Sequence, residues 1–297
     1  MEIKEIALDE FDSVFPSNLN PIIFSTARFN QLNRSKAEDV KALAMVDDDG
    51  SVLIGQIFGL RGRMWRAPFS APFSTAAGAE ISKQLLTEFY SLSADFLGSP
   101  LRLVLPPPFY PSSITPEVGA QVDDFNYHYP LSRYRNYESH LSRPGRKNHR
   151  NSLKHPFDFF KTDDIGRAYG IIAQNRKAMG YPLAMSLEQV EATSAIIPAD
   201  FFVMAIDGTD CAAAVVFKVA PSIMQVIYWG DIPEFRVARP MNRLAWELFG
   251  WYAANRPDID IIDIGPSSTD GVKNEGLASF KLSIGCVETL RPTITIE

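Results

Sequence analysis

No apolar run in this 297-residue chain approaches the roughly 20 residues that a membrane-spanning helix needs. The start, Met1-Glu-Ile-Lys-Glu-Ile, puts acid where an export signal has base, and no apolar stretch follows it. Cysteine is scarce: Cys211 and Cys286 both fall in strand-like apolar segments, which excludes a disulfide framework and reads as buried small hydrophobes. The four histidines, His128, His140, His149 and His155, show neither His-x-x-x-His nor paired-acid spacing, so no metal is expected. Excess base is missing too. A net charge of -6 and a pI near 5.4 argue against a general nucleic-acid binder, though not against a local basic patch. These absences together predict a metal-free protein of a reducing compartment, the cytoplasm.

Hydrophobic residues are plentiful at 46%, against 22% charged, so a sizeable core is expected and disorder is not. The length suits one large domain or two ordinary ones. A helix-like run covers Thr26 to Leu32. Lys41–Val46 and Val52–Leu60 read as strands joined by the Asp47-Asp-Asp-Gly50 turn. Met64–Phe69 reads as a third strand, and Phe69 to Phe73 as loop and core. Gly78–Phe96 has helical spacing, Leu101–Leu105 is a strand ended by prolines, and Phe125–Leu131 an aromatic strand closing the first half.

The order then recurs. Phe201–Ile206, the turn Asp207–Asp210 and Cys211–Val219 form a second hairpin. Ile223–Gly230 follows as a strand, then a helix from about Val237 to Ala254 and a strand from Ile259 to Ile264. Hairpin, strand, helix, strand in one order twice predicts two related subdomains. Between them lie a basic run from Arg143 to Lys154, a strand Phe157–Lys161, and helices Ile165–Met179 and Ser186–Ile197. Gly180 is the stop signal of the first, and Ser186 with Gln189 forms a capping box for the second.

Near the end, an isoleucine-rich strand closes in Asp263-Ile-Gly265-Pro266-Ser267, where proline has no N–H for the ladder. Gly276 to Gly285 then reads as a short helix with Leu277, Phe280 and Ile284 inside and Lys281 at the rim. A carboxylate at a strand end, a turn of small residues and a lysine on the next helix make a candidate site; a plain strand–turn–helix with a solvated lysine explains the spacing equally well.

The second half, from its helix pair to its last strand, resembles the GNAT acyltransferase fold. Asp263-x-Gly265-x-Ser267, followed by Gly276-Leu-x-x-Phe280-Lys281-x-x-x-Gly285, is similar to the closing motif of the FemABX-like branch, which carries two such domains. The basic run Arg143 to Lys154 is similar to the helix opening that branch's second domain. The resemblance implies an α+β chain of tandem duplicated GNAT-like domains, with mixed, mostly antiparallel sheets flanked by helices. Residues 1–135 would form a degenerate first domain and 136–297 a second carrying the site. It implies an N-acyltransferase moving an acyl or aminoacyl group from a thioester such as acyl-CoA, as co-substrate, to a small-molecule or peptide amine.

Two departures bear on the donor. There is no long charged helical pair like the arm of the peptidoglycan bridge-forming enzymes, so aminoacyl-tRNA is the less expected donor. The usual glycine-bearing pyrophosphate loop is replaced by Arg236-Val-Ala-Arg239-Pro-Met-Asn242. A helix start still offers free N–H groups and a positive dipole end to phosphate, and arginine adds bidentate charge. Donor contacts are therefore expected at Arg236, Arg239 and Asn242, and at Trp229 and Gly230 on a strand that this fold splays from its neighbour. The resemblance implies catalytic roles for Tyr228 (proton donor to the leaving group), Asp263 (amine positioning or deprotonation) and Lys281 (holding a substrate carboxylate or phosphate, or charge stabilisation). Arg146, Arg150, Ser267 and Asn274 are the expected substrate contacts. A non-catalytic chain that kept the fold to bind a ligand or partner is the other reading.

Overall fold

The strands of the first half earn their places by alternation. In the computed structural model, which describes residues 1–297, β1 (Glu2–Ile6) is followed by the short helices α1 (Phe11–Val14) and α2 (Ala27–Leu32). Next come β2 (Asp39–Val46), β3 (Val52–Arg61), β4 (Met64–Ala67) and β5 (Ala77–Gly78). Leu43 and Met45 of β2 face one side with Ile54 and Phe58 of β3; Ala42, Ala44 and Ile57 face the other. The first set packs on α3 (Lys83–Leu97) through Leu86, Phe89 and Tyr90. Gln56 falls on this core face, and it is satisfied there by the Tyr90 hydroxyl at 2.5 Å and Ser74 at 2.8 Å.

After α3 come β6 (Leu101–Val104) and β7 (Ala120–Pro130), then α4 (Arg143–Ser152) and β8 (Phe157–Thr162). Helices α5 (Ile165–Met179) and α6 (Leu187–Ser194) precede the meander β9 (Ala199–Ile206), β10 (Thr209–Ala220) and β11 (Ile223–Asp231). The chain ends with α7 (Pro240–Asn255), β12 (Ile261–Pro266), the two-residue strands β13 (Ser268–Thr269) and β14 (Val272–Lys273), α8 (Glu275–Ser283) and β15 (Val287–Ile296).

Two compact units result. One holds residues 1–125, 268–272 and 289–297; the other holds 126–267 and 273–288. In the first the strand order is β1-β2-β3-β4-β6-β15, with β5 on β3; in the second it is β7-β12-β11-β10-β9-β8. The two orders correspond. Each has an antiparallel meander whose third strand runs parallel to the strand after the helix: β4 beside β6, and β11 beside β12. Each sheet also takes a strand from the far half of the sequence. Thr293–Ile296 of β15 pair with β6, and Asn126–Pro130 of β7 pair with β12. The expected aromatic closing strand of the first half thus serves the second unit.

Local signals set most boundaries. Helix α5 stops at Gly180, which takes the left-handed conformation, and the Ser186–Gln189 capping box is present on α6. Four expectations shift. Strand β4 ends at Ala67 because Pro68 cannot donate to the ladder. Helix α3 starts at Lys83, where Ser82 accepts from the Leu85 N–H, leaving Gly78 to pair in β5. Pro266 closes β12 as a paired residue opposite Asn126 instead of stopping the strand before it. The helix expected from Val237 breaks at Arg239, because the residue before a proline is kept out of the right-handed helical region; Arg239 sits at φ +63°. No helix is long and apolar enough to cross a membrane.

Candidate active site

The parallel ladder between β11 and β12 is three residues long. Ile223, Met224 and Gln225 pair with Ile261, Ile262 and Asp263, and there it stops. Strand β11 runs on to Asp231 beside β10 alone, while Gly265 and Pro266 of β12 turn to Tyr127 and Asn126 of β7. A bulge between Asp263 and Gly265, with Gly265 at φ +75°, makes the change of direction. The expected splay is therefore present, and it leaves the β12-facing edge of β11 without a ladder from Val226 onward.

Asp263 sits at the fork, fully buried. Its carboxylate accepts from Asn126 Nδ2 at 2.9 Å, Gln225 Nε2 at 2.7 Å and the Gly265 N–H at 2.9 Å, so it ties three strands together. Lys281 is only 2% exposed, which corrects the expected rim position. Helix α8 is rotated by about one residue from the apolar-face reading: Ala278 and Lys281 point inward and Leu277 is 39% exposed. The Lys281 ammonium donates to the Gly265 and Pro266 carbonyls, both at 2.8 Å, and lies 5.3 Å from the Tyr127 ring centre. Ser267 is buried with no partner for its hydroxyl. Its carbonyl accepts from the Asn274 N–H at 2.7 Å, and the Asn274 side chain caps α8 by accepting from Leu277 at 3.0 Å.

Along β11, Trp229 crosses toward α8 and meets Phe280 edge-on, ring centres 5.9 Å apart. The Tyr228 hydroxyl accepts from the Met185 N–H at 3.1 Å, and burial pushes its pKa up. Gly230 is dictated by packing, since a Cβ there would lie 2.7 Å from the Asn175 side chain. Asn175 in turn donates to the Asp231 carbonyl at 2.7 Å. Burial raises the Asp231 pKa, and Arg236, 3.1 Å away, opposes that rise.

The two expected arginines of the α7 loop therefore part company. Arg236 turns to Asp231, whereas Arg239 lines a cavity of about 600 Å³ with Arg143, Arg146, Lys147 and Arg150 of α4 and with Lys154 just after it. No acid lines it. Asn242 is buried in the first turn of α7, its N–H bonded to the Arg239 carbonyl at 3.1 Å. Helix α4 begins with Ser142 accepting from Gly145 at 3.1 Å. It is steadied by Glu138, whose carboxylate takes Arg150 at 2.7 Å and whose carbonyl takes Arg146 at 3.1 Å. Arg150 beside it lowers the Glu138 pKa.

Of the expected residues, Arg146, Arg150 and Arg239 thus share one cavity, while Asp263, Ser267, Asn274 and Lys281 gather at the end of β12. Arg236 and the Tyr228 hydroxyl are engaged elsewhere. Sequence reasoning missed Gln225 and Asn126, which hold Asp263, and His149, buried on α4 against Tyr137 and Trp246. A polar side chain inside an apolar strand was the available signal for Gln225 and Asn126; the basic sequence of α4 offered none for His149. In the first unit Phe69 and Phe73, after β4, are 2% and 1% exposed, as core. No cluster of metal-ligating side chains occurs.

Neither a protein-family model nor a curated protein matches the sequence. Solved structures do. FemX superposes with a TM-score of 0.64 at 12% identity, over 99% of this chain and 96% of that one. The tandem GNAT protein from the clavulanic acid biosynthesis pathway gives 0.51 at 11% identity, over 100% and 98%. The fold is that of the tandem GNAT proteins. L-PGS from Bacillus licheniformis is also similar, with a TM-score of 0.58 at 11% identity over 99% and 93%. Within a tandem GNAT frame, the fork between β11 and β12 and the start of α7 fall in the second unit.

Proposed function

We propose that the chain is an acyltransferase that moves an acyl or aminoacyl group from a phosphate-bearing donor, such as an acyl-CoA, to an amine. The observation that carries this reading is the cavity where Arg239, at the start of α7, meets four cations of α4 and Lys154 just after it. Clustered guanidinium groups at a helix start suit phosphate oxygens in charge and geometry. The unladdered edge of β11 supplies backbone donors and acceptors for the donor's extended arm, and one N–H for the developing oxyanion.

In the proposed reaction the amine nitrogen attacks the acyl carbon within a ternary complex, and the bond to the leaving sulfur or oxygen breaks. Asp263 orders the fork, and its carboxylate orients the amine. Lys281 contributes positive potential at the end of β12. Tyr228, whose oxygen accepts from Met185, still carries a proton for the leaving group. The chain orients reactants and stabilises charge; no metal is invoked. Six cations around one cavity also favour a larger polyanion, so aminoacyl-tRNA is the second donor reading. Thermal melts with acyl-CoA test the first: a donor that binds the native state raises its stability. A shift absent with acyl-CoA but present with aminoacyl-tRNA would select the second, and a steep salt dependence should accompany it.

A further inference from the structure

Apart from that cavity, three arginines share one face of the first unit's sheet. Direct cross-strand partners share a face, so Gly59, Arg66, Arg102 and Thr295, paired in one row across β3, β4, β6 and β15, project the same way. Arg61, two residues along β3 from Gly59, joins them. The Phe69 ring occupies the side-chain space over Gly59, where a Cβ would lie 2.4 Å from it, and the Phe69 carbonyl accepts from Arg61 at 3.2 Å. The charge of Arg61 also lowers the pKa of Lys36, after burial.

Asp270 answers this charge at one point, 2.5 Å from Arg102. Arg66 has no such partner, and its Nε is sealed from water without a hydrogen bond. Burial lowers the Arg66 pKa first, then repulsion from Arg61 and Arg102, with Asp270 opposing. Neighbouring guanidinium groups repel one another, and a bound anion relieves that repulsion. Three positive charges share this face, and the Asp270 carboxylate pairs with one of them. Phosphate oxygens match guanidinium forks in both charge and plane.

We propose that Arg61, Arg66 and Arg102 form a second anion site, in the first unit, that takes a phosphate or diphosphate group of a ligand. The site stands on its own residues and does not depend on the acyl-transfer reading. Calorimetry and thermal melts with inorganic pyrophosphate test it on the full chain, in a Lys147→Gln/Arg239→Gln background that weakens the α4 cavity. That background should bind pyrophosphate and melt at a higher temperature in its presence. Arg66→Gln should weaken the binding about tenfold or more. Without the anion it should melt no lower than its parent, because an unpaired, repelled charge has gone. Arg61→Gln, on a more exposed side chain, should weaken binding in the same direction and serves where Arg66→Gln does not fold. The proposal is overturned if the background binds no pyrophosphate, or if both variants bind it as their parent does.

Discussion

Lys281 donates to the carbonyl oxygen of Gly265 at 2.8 Å, and this bond fixes how α8 meets the end of β12. A second bond of equal length goes to Pro266. The ammonium is a structural keystone of the fork whatever its role in chemistry. Lys281→Met keeps the stem but leaves two strand-end carbonyls without their donor. Stability should fall by roughly 1.5–3 kcal/mol, as expected for a hydrogen bond to a charged group. Denaturant unfolding measures it, and wild-type stability would show that water replaces the ammonium at no cost.

Helix α4 packs against α8, and Gly145 is a point of close approach. A Cβ on Gly145 would fall 1.8 Å from the Ser283 carbonyl oxygen, so nothing larger than glycine fits. Gly145→Ala should push the two helices apart and cost about 1–3 kcal/mol, in the range of overpacked interiors. Because α4 carries four of the cavity's six cations, anion affinity should fall in the same variant. A melt and a titration on one sample check both.

Arg236 and Arg239 are separable. Arg239→Gln should weaken donor binding by roughly 1.5–3 kcal/mol with little change in melting temperature. Arg236→Gln should leave donor affinity nearly intact and lower stability by about 1 kcal/mol or less, since the arginine is partly exposed. The Asp231 carboxyl, already raised by burial, would then rise further. A raised carboxyl holds its proton more tightly in the folded state, so stability falls as pH rises through its folded pKa. The variant should be most destabilised at neutral pH and recover toward acid.

His149 gives the opposite pH signature. Burial lowers its pKa first, Glu138 raises it, and Arg243 and Arg150 lower it again. A depressed histidine is neutral in the fold while the unfolded chain takes up a proton below its ordinary pKa of about 6.5. Its contribution to stability is therefore present above that pH and lost as pH falls toward the folded value. His149→Phe should flatten the acid limb of a melting-temperature profile, and an unchanged limb would assign it to other groups.

The meander, the helix pair and the capping box were legible because period and cap chemistry are local. The exchange of β7 and β15 was not, since strand partners depend on contacts distant in sequence. The face of α8 misled for a physical reason. Apolar spacing put Leu277 inside, but two strand-end carbonyls need a donor, and burying Lys281 satisfies them. The basic run on α4 was visible, yet its meeting with Arg239 required the left-handed turn before Pro240.

Calorimetric titration of an acyl-CoA into wild type and a Lys147→Gln/Arg239→Gln variant tests the central claim most directly. The account predicts saturable binding to wild type, weakened in the variant by about tenfold or more, with both proteins equally folded. Affinity for the same thioester lacking the 3′-phosphate should also fall, because the cavity is built for several negative charges. Equal binding by wild type and variant would contradict the account.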